Sequence, residues 1–598
     1  MALMTGLSSG KIKRSRSRMF LILFSIFCIV MAAYPLFSGM VASANGSELD
    51  YNLLRIESIK NGLADGIFPV RINAEFFDGY GYGASLMEPD LFLYIPAVLR
   101  LLGFDLNFSY NIFLLACVCV TFAVVYGCGK HLARSRYVGL LAAVLTVLSQ
   151  YYANVLYYRA ALGEVLAFLF IPLVIWGVHD LLQEDFRRPH LLFIGYVGLY
   201  FSHIVLFLMT VVVSVVYCLI FLRRFVKKPR CVGKLLLVYA LTALITMCSW
   251  LPILEQFSTT EFWIPWLNMD RITASVGSLL AVSQNYTEGE YGIPALGAVL
   301  LILCAARLFV RPNKGNAPLL GKADKLLVLG VLCIGVASRY FPINIWWMID
   351  GLGRPTTVFV GVTVLLAFAA AILFHIKISG RQARSAALFG VMGLCACLLL
   401  VQSAITPLQY AEREESYFLD SYYTYPVKQT SIFPMGAEYS DFDYAGLILF
   451  EDGSQQPYTE KENTQILFDC KAVQTQPEGS EEQEGDPDQQ EAPVYHEYAD
   501  VPLLYYYGYA AEFIDQNGEA TPLEVTPDGY GHTARVMLPE QEGQVRIWYQ
   551  GTTIQLVSLI VSGVSAAAAI AVLIVVGRRG RKGQKDQPEL AAQEVAAE

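Results

Sequence analysis

Long apolar runs alternate with short polar ones along most of the chain, and this alternation predicts its main elements. Beginning with Met19 to Val41, apolar segments recur at Asn111–Cys128, Val138–Gln150, Leu162–Val178, Leu191–Ser202, His203–Leu222 and Leu235–Leu254. They continue at Ile293–Phe309, Leu326–Ala337, Val358–Leu373, Ala386–Val401 and Leu556–Val576. About 20 apolar residues in a helix cross a bilayer, so the pattern predicts a polytopic α-helical membrane protein with about 12 spans. Several runs fall short of that length and predict tight hairpins or tilted helices, Leu191–Leu222 among them.

Two polar stretches break the rhythm. The first, residues 42–89, reads as an outer loop and carries Glu48, Asp50, Arg55, Glu57, Lys60, Asp65, Arg71, Glu75 and Asp78 between nearly uncharged spans. Within it Leu53, Leu54, Ile56, Ile59 and Leu63 have helical spacing, which predicts a helix laid with one face on a membrane or protein surface. Such a helix could also simply cap the bundle. Tight turns are expected around Gly79 to Gly83.

The second stretch, residues 406–552, alternates in short β-like runs: Leu447–Phe450, Val501–Tyr507, Ala534–Leu538 and Gln544–Tyr549. Asp452-Gly453, Asn517-Gly518 and Asp528-Gly529 supply turns between them. A β-rich extracellular domain ahead of the last span is the expectation. Residues 477–493 have no hydrophobic periodicity and read as a disordered acidic insertion.

Charge orients this layout. Lys11 to Arg18, Lys130/Arg134/Arg136, Arg187/Arg188, Arg223 to Arg230, Arg307/Arg311/Lys314, Lys377/Arg381/Arg384 and Arg578 to Lys582 all fall on one side if the spans alternate. The positive-inside rule makes that side cytoplasmic. Residues 1–18 are then a basic cytoplasmic N-terminus, 19–405 the transmembrane domain, 553–577 the last span and 578–598 a cytoplasmic tail. Residues 406–552 hold 28 acidic against 6 basic residues, and the basic runs elsewhere lie between apolar spans. Such charges act as topology signals and give no nucleic-acid surface. The 55% hydrophobic content and the 16% charged content agree with a membrane protein. The 12 cysteines sit almost wholly in or near spans, as small buried hydrophobes would. The two C-x-C pairs, Cys117/Cys119 and Cys395/Cys397, diverge by about 200° on a helix and suit neither a disulfide nor zinc.

Four outer features could carry chemistry. Glu48 and Asp50 follow the first span; in an extended stretch residues two apart share a face, and either could act as a general base or bind a cation. Arg159 and Glu164 are five apart across a turn that opens a span, where a pair could be structural or functional. His203 sits where two short apolar runs meet. Arg339 and Arg354 flank Trp346 and Trp347, suiting an anionic headgroup or simple interfacial anchoring. No Walker, dinucleotide, metalloprotease or G-x-S-x-G motif is present.

Several of these residues together resemble a known family. They are Asp50, Arg55, Gly66-Ile-Phe-Pro69-Val-Arg71, Gly79-Tyr-Gly-Tyr82, Tyr158-Arg159 with Glu164 and Pro172, Ser202-His203, and Pro502 to Gly508 before the last span. The chain is similar to bacterial membrane glycosyltransferases of the GT-C type, and more narrowly to the YfhO-like and "6-pyruvoyl-tetrahydropterin synthase-related" membrane proteins. The resemblance implies a GT-C fold that moves a sugar from a polyprenyl-phosphate carrier to an envelope glycan or lipid acceptor outside the membrane. An acid in the first outer loop, Asp50 with Glu48 as fallback, would be the base. Arg71, Arg159, Arg339 or Arg354 would meet the donor phosphate, with Glu164 and His203 nearby. No cofactor is firmly implied and a divalent cation stays open. Two departures stand out: Gly353-Arg354-Pro355 replaces a proline-tryptophan-arginine run, and Met87-Glu88-Pro89-Asp90 replaces a tyrosine-proline-proline pattern. A transporter or flippase of a lipid-linked glycan, or an envelope assembly factor, is the alternative.

Overall fold

The computed structural model describes residues 19–43, 47–220, 228–263, 296–338, 340, 355–413, 433–435, 437, 446–472 and 494–585. Among these, helices stand at each of the apolar runs, but fewer of them reach full span length than the expected dozen. Five are long and apolar enough to cross a membrane: Leu106–Ala133, Leu162–Gln183, Phe359–Lys377, Arg381–Ile405 and Thr553–Val575. Two further spans form if each bent pair counts as one, Arg136–Val147 with Gln150–Tyr158 (44°) and Pro229–Ile245 with Met247–Thr259 (63°). Met19–Ala32, Ile204–Ile220 and Leu296–Leu308 are apolar but shorter. Hydrophobic runs mark where helices lie better than how far each one reaches, because a break costs nothing in composition.

The two ends of the bundle differ in charge. At one end Arg188 touches His131 and Glu184, Lys228 pairs with Asp185, and Lys234 caps the Phe186 carbonyl. Lys322 caps the Leu132 carbonyl, Arg307 pairs with Asp324, and Lys377 caps the Phe309 carbonyl. The basic runs among the described residues are thus knitted together, several of them onto helix C-termini, where carbonyls and the dipole favour cations. Helices Leu106–Ala133 and Leu162–Gln183 run from this end to the other over roughly 42 and 33 Å at 1.5 Å per residue. The loop of residues 42–89 packs around their N-termini.

That loop is buried rather than laid on a surface. Its helix, Ser47–Ala64, has Leu53, Ile56 and Ile59 at 0% exposure, and Arg55, Glu57 and Ser58 are buried as well. The helix is covered on more than the one face expected because charged partners follow it inside: Arg100 pairs with Glu57, and Ser58 and Asn61 hydrogen-bond Glu75. An isolated buried charge is costly, so each of these is matched.

Residues beyond 446 form two five-stranded antiparallel sheets around a second core that includes Ile448, Phe468, Val501, Phe513, Val536 and Ile547. One sheet runs 520–523, 509–514, 543–549, 465–470, 460–462; the other runs 525–526, 533–537, 498–504, 447–450, 455–457. Asp452-Gly453 and Asn517-Gly518 do turn between strands, with Gly453 at φ 81° and Gly518 at φ 86°. Residues 477–493 lie outside the described residues. The expected strand Val501–Tyr507 is displaced to Tyr498–Leu504; Tyr505 stays in the β core, while Tyr506 and Tyr507 leave the sheet to dock on the helical domain. The Leu504 amide donates to the Tyr80 carbonyl at 2.8 Å. Gln256 holds the Tyr507 backbone with two hydrogen bonds, 2.7 and 3.1 Å. Lys461 reaches the Gly79 carbonyl, and strand Val41–Ser43 pairs with Gln409–Ala411.

The Tyr506 ring is completely buried against Gly83, where an added Cβ would lie 2.8 Å from Cε1. The enclosed ring cannot swing aside, so Gly83→Ala is expected to destabilise by about 1–3 kcal/mol, the usual cost of overpacking. A lowered thermal midpoint in detergent checks this, and adding Tyr506→Leu should return part of the loss.

Candidate functional site

Opposite the basic end, the N-termini of three helices meet. Ser47–Ala64 carries Glu48 and Asp50 in its first turn, where acids favour the helix dipole. The expectation that they share one face of an extended stretch is therefore corrected: on a helix they diverge by about 200°. Each finds its own arginine. Asp50 accepts from Arg413 Nε at 3.1 Å, and Glu48 from Arg159 Nη2 at 3.4 Å.

Arg159 also donates through Nη1 to Glu164 Oε1 at 2.9 Å, while the Tyr151 hydroxyl donates to Oε2 of the same carboxylate at 2.8 Å. The expected Arg159–Glu164 pair is thus present, formed across the break between Asn154–Tyr158 and the helix Leu162–Gln183. Ala160 at φ 52° makes the turn. Gly163 lets the new helix close on the next connection, since a Cβ there would be 2.8 Å from the Ser202 carbonyl and 3.4 Å from the His203 ring. His203 lies between helices Pro189–Ser202 and Ile204–Ile220, as the sequence suggests, within the electrostatic reach of Glu164, Glu88, Glu48 and Arg159.

Three members of this cluster, Glu88, Arg55 and Arg413, were missed as site residues. Glu88 accepts from Arg55 Nη1 at 3.0 Å and keeps its side chain 46% exposed. Arg55 in turn acts on Asp90, whose carboxyl is held above the usual range by burial and eased back by Arg55. Arg413 is anchored through its backbone, which exchanges hydrogen bonds with the Asn107 side chain at 3.1 and 3.3 Å. The available signal was a lone cation in Glu412-Arg413-Glu414-Glu415 directly after an apolar run.

Asp50 is more sheltered than Glu48, with side chains 15% and 37% exposed. Burial pushes the Asp50 carboxyl above the ordinary aspartate range, and Arg413 pulls it part of the way back. A carboxylate with a raised pKa is a stronger base whenever it is ionised, and a neighbouring cation favours that form.

Arg71 stands at the edge of this cluster, where it eases the Asp90 carboxyl back together with Arg55. It donates to the Cys248 carbonyl at 3.1 Å and lines a separate cavity of about 220 Å³ with Phe68, Gln550, Gln555 and Leu556. Arg339 and Arg354 lie outside the described residues. The C-x-C pairs split as their helical geometry requires: Cys117 and Cys395 are buried, Cys119 and Cys397 exposed.

No known family profile matches the chain. It is similar to an uncharacterized protein of Lactococcus lactis subsp. cremoris (strain MG1363), 26% identical over 200 residues. That alignment covers 32% of this chain and 32% of the Lactococcus protein. The chain therefore matches about a third of that relative's length.

Proposed function

We propose that the protein is a GT-C-like glycosyltransferase that moves a sugar from a polyprenyl-phosphate carrier to a cell-envelope glycan or lipid. One observation carries this reading: Glu48, Asp50, Glu88 and Glu164 converge with Arg55, Arg159, Arg413 and His203 at the end of the bundle opposite its basic side. If basic residues stay in the cytoplasm, that end faces out, beneath the β domain. Asp50 serves as base, taking the acceptor's proton as the sugar–phosphate bond breaks. Glu48, the more open acid, orients the acceptor. Arg413 eases the Asp50 carboxyl back toward its ordinary range, Arg159 holds Glu48 and Glu164 in place, and the arginines offset charge developing on the leaving phosphate.

The test is direct. Protein in nanodiscs is given a radiolabelled polyprenyl-phosphate sugar and envelope extract, and product is identified by mass spectrometry. Label passing into an envelope polymer or lipid is the expected result; intact carrier at all times overturns the reading.

A transporter of a lipid-linked glycan is the second reading, and the two bent helix pairs favour it, since broken spans often line a transport path. Their breaks lead to Arg159 and to Gln256 beneath the β domain, that is, toward the mouth. Carrier that crosses the bilayer without losing its sugar would favour this alternative.

A further inference from the structure

An elongated cavity of about 450 Å³ runs from the basic end of the bundle, at Lys322 and Lys325, toward Leu206 and Val358 in its other half. Helices Leu162–Gln183, Ile204–Ile220, Ala317–Ala337 and Phe359–Lys377 enclose it. Its walls are apolar, with Val174, Met209, Leu329 and Leu365 typical of them. Polar groups gather at one end: His179, Gln183, Lys322 and Lys325. No carboxylate is among the described residues that line it, so its only full charges are two ammonium groups.

Shape and charge together define an occupant. From Lys322 to Cys333, both lining residues, the helix rises about 17 Å. That is close to half of a hydrocarbon core about 30 Å thick, the depth of a single leaflet. A volume of this size is within the range of lipid and ligand sites. Gly361 widens the slot, since even an added Cβ there would only just touch Ile171 at 3.8 Å. The lysines sit where the headgroup of a lipid in the leaflet on that side would lie. Lys322 is held in place by its bond to the Leu132 carbonyl at 2.7 Å, and its remaining N–H groups can donate elsewhere.

We propose that this cavity is a binding site for an anionic phospholipid of the leaflet at the basic end, with an acyl chain between the four helices and the phosphate at Lys322 and Lys325. The site is independent of the sugar-transfer reading: it needs neither the carrier nor the acidic mouth. Its ligand holds the bundle together at the end where basic segments crowd, adding a negative charge at Lys322 and Lys325 to those that Glu184, Asp185 and Asp324 place nearby.

Native mass spectrometry of the full chain, purified and exchanged into nanodiscs of equal phosphatidylglycerol and phosphatidylcholine, reads the site. The wild type should retain phosphatidylglycerol over phosphatidylcholine by about tenfold to thirtyfold, the preference expected of two lysines beside one phosphate. Lys322→Gln with Lys325→Gln should abolish the preference, and Gly361→Leu should reduce retention of both lipids. Equal retention by the wild type overturns the proposal whether or not the variants fold, and so does an unchanged preference in the folded double variant. A third arm uses inorganic phosphate: thermal protection by phosphate equal to that by phosphatidylglycerol would make the site one for a soluble anion and overturn the lipid assignment.

Discussion

Asp50→Asn is expected to lower sugar transfer by about 10²–10⁴-fold while carrier binding survives, because the amide keeps the shape of the group and loses its basicity. In the proposed transfer the acceptor hydroxyl is a poor nucleophile and the leaving phosphate departs on its own charge, so proton removal is where a carboxylate would contribute most. The pH profile gives a second readout. Burial raises the Asp50 pKa and Arg413 lowers it, with burial the larger effect. The base works only when ionised, so activity should fall with acid through a limb lying above the ordinary aspartate value of about 3.9. Removing the cation by Arg413→Gln takes away the lowering influence, and the limb should move to still higher pH. Near-normal turnover in a folded Asp50→Asn protein would remove Asp50 from the mechanism and turn attention to Glu48. An acid limb unmoved by Arg413→Gln would mean that another group titrates.

Arg159→Ala should be the most damaging single change to stability at the mouth. Its guanidinium stands between Glu164, 3% exposed, and Glu48, and its own side chain is 9% exposed. Breaking a buried pair by removing one partner leaves an uncompensated charge and typically costs about 3–5 kcal/mol. The midpoint of thermal unfolding in detergent should fall accordingly. Replacing both partners, Arg159→Met with Glu164→Leu, removes the stranded charge and should recover most of the loss. A single variant as stable as the wild type would show that water or lipid reaches Glu164 after all. The comparison also separates two roles for Arg159: a double variant that is stable yet fails to bind carrier would assign it to the donor phosphate.

The parts of this architecture that were legible are local ones. Apolar runs and turn dipeptides act over a few residues, so helix positions, the loop helix, several strands and the Arg159–Glu164 pair follow from spacing. The first-turn placement of Glu48 and Asp50 was legible too. Ser47 followed by two acids is a helix-start signal, and it outweighs the extended geometry assumed for them. What spacing could not convey was partnership at a distance. Arg413 is 363 residues from Asp50, and nothing in its neighbours names that carboxylate. Arg71 looked equivalent to Arg159 because a lone arginine in an outer loop reads the same wherever the fold sends it. Tyr505 to Tyr507 continue the β pattern, and the departure of Tyr506 and Tyr507 from the sheet is visible only once Gly83 and Gln256 lie beneath them.

The long separation between Asp50 and Arg413 has a consequence in time. A ribosome adds roughly 5–20 residues per second, so the acid is made on the order of 20–70 s before its counterion exists. The strand Val41–Ser43 waits as long for Gln409–Ala411, and Tyr80 and Gly83 wait longer for Leu504 and Tyr506. During synthesis the loop of residues 42–89 is therefore an unfinished structure, with its carboxylates still hydrated and its aromatic surfaces uncovered. Closure of the mouth belongs to the last steps of biogenesis, after nearly the whole chain has been made. A stalled or truncated chain would thus leave helices inserted in the membrane with this loop still open.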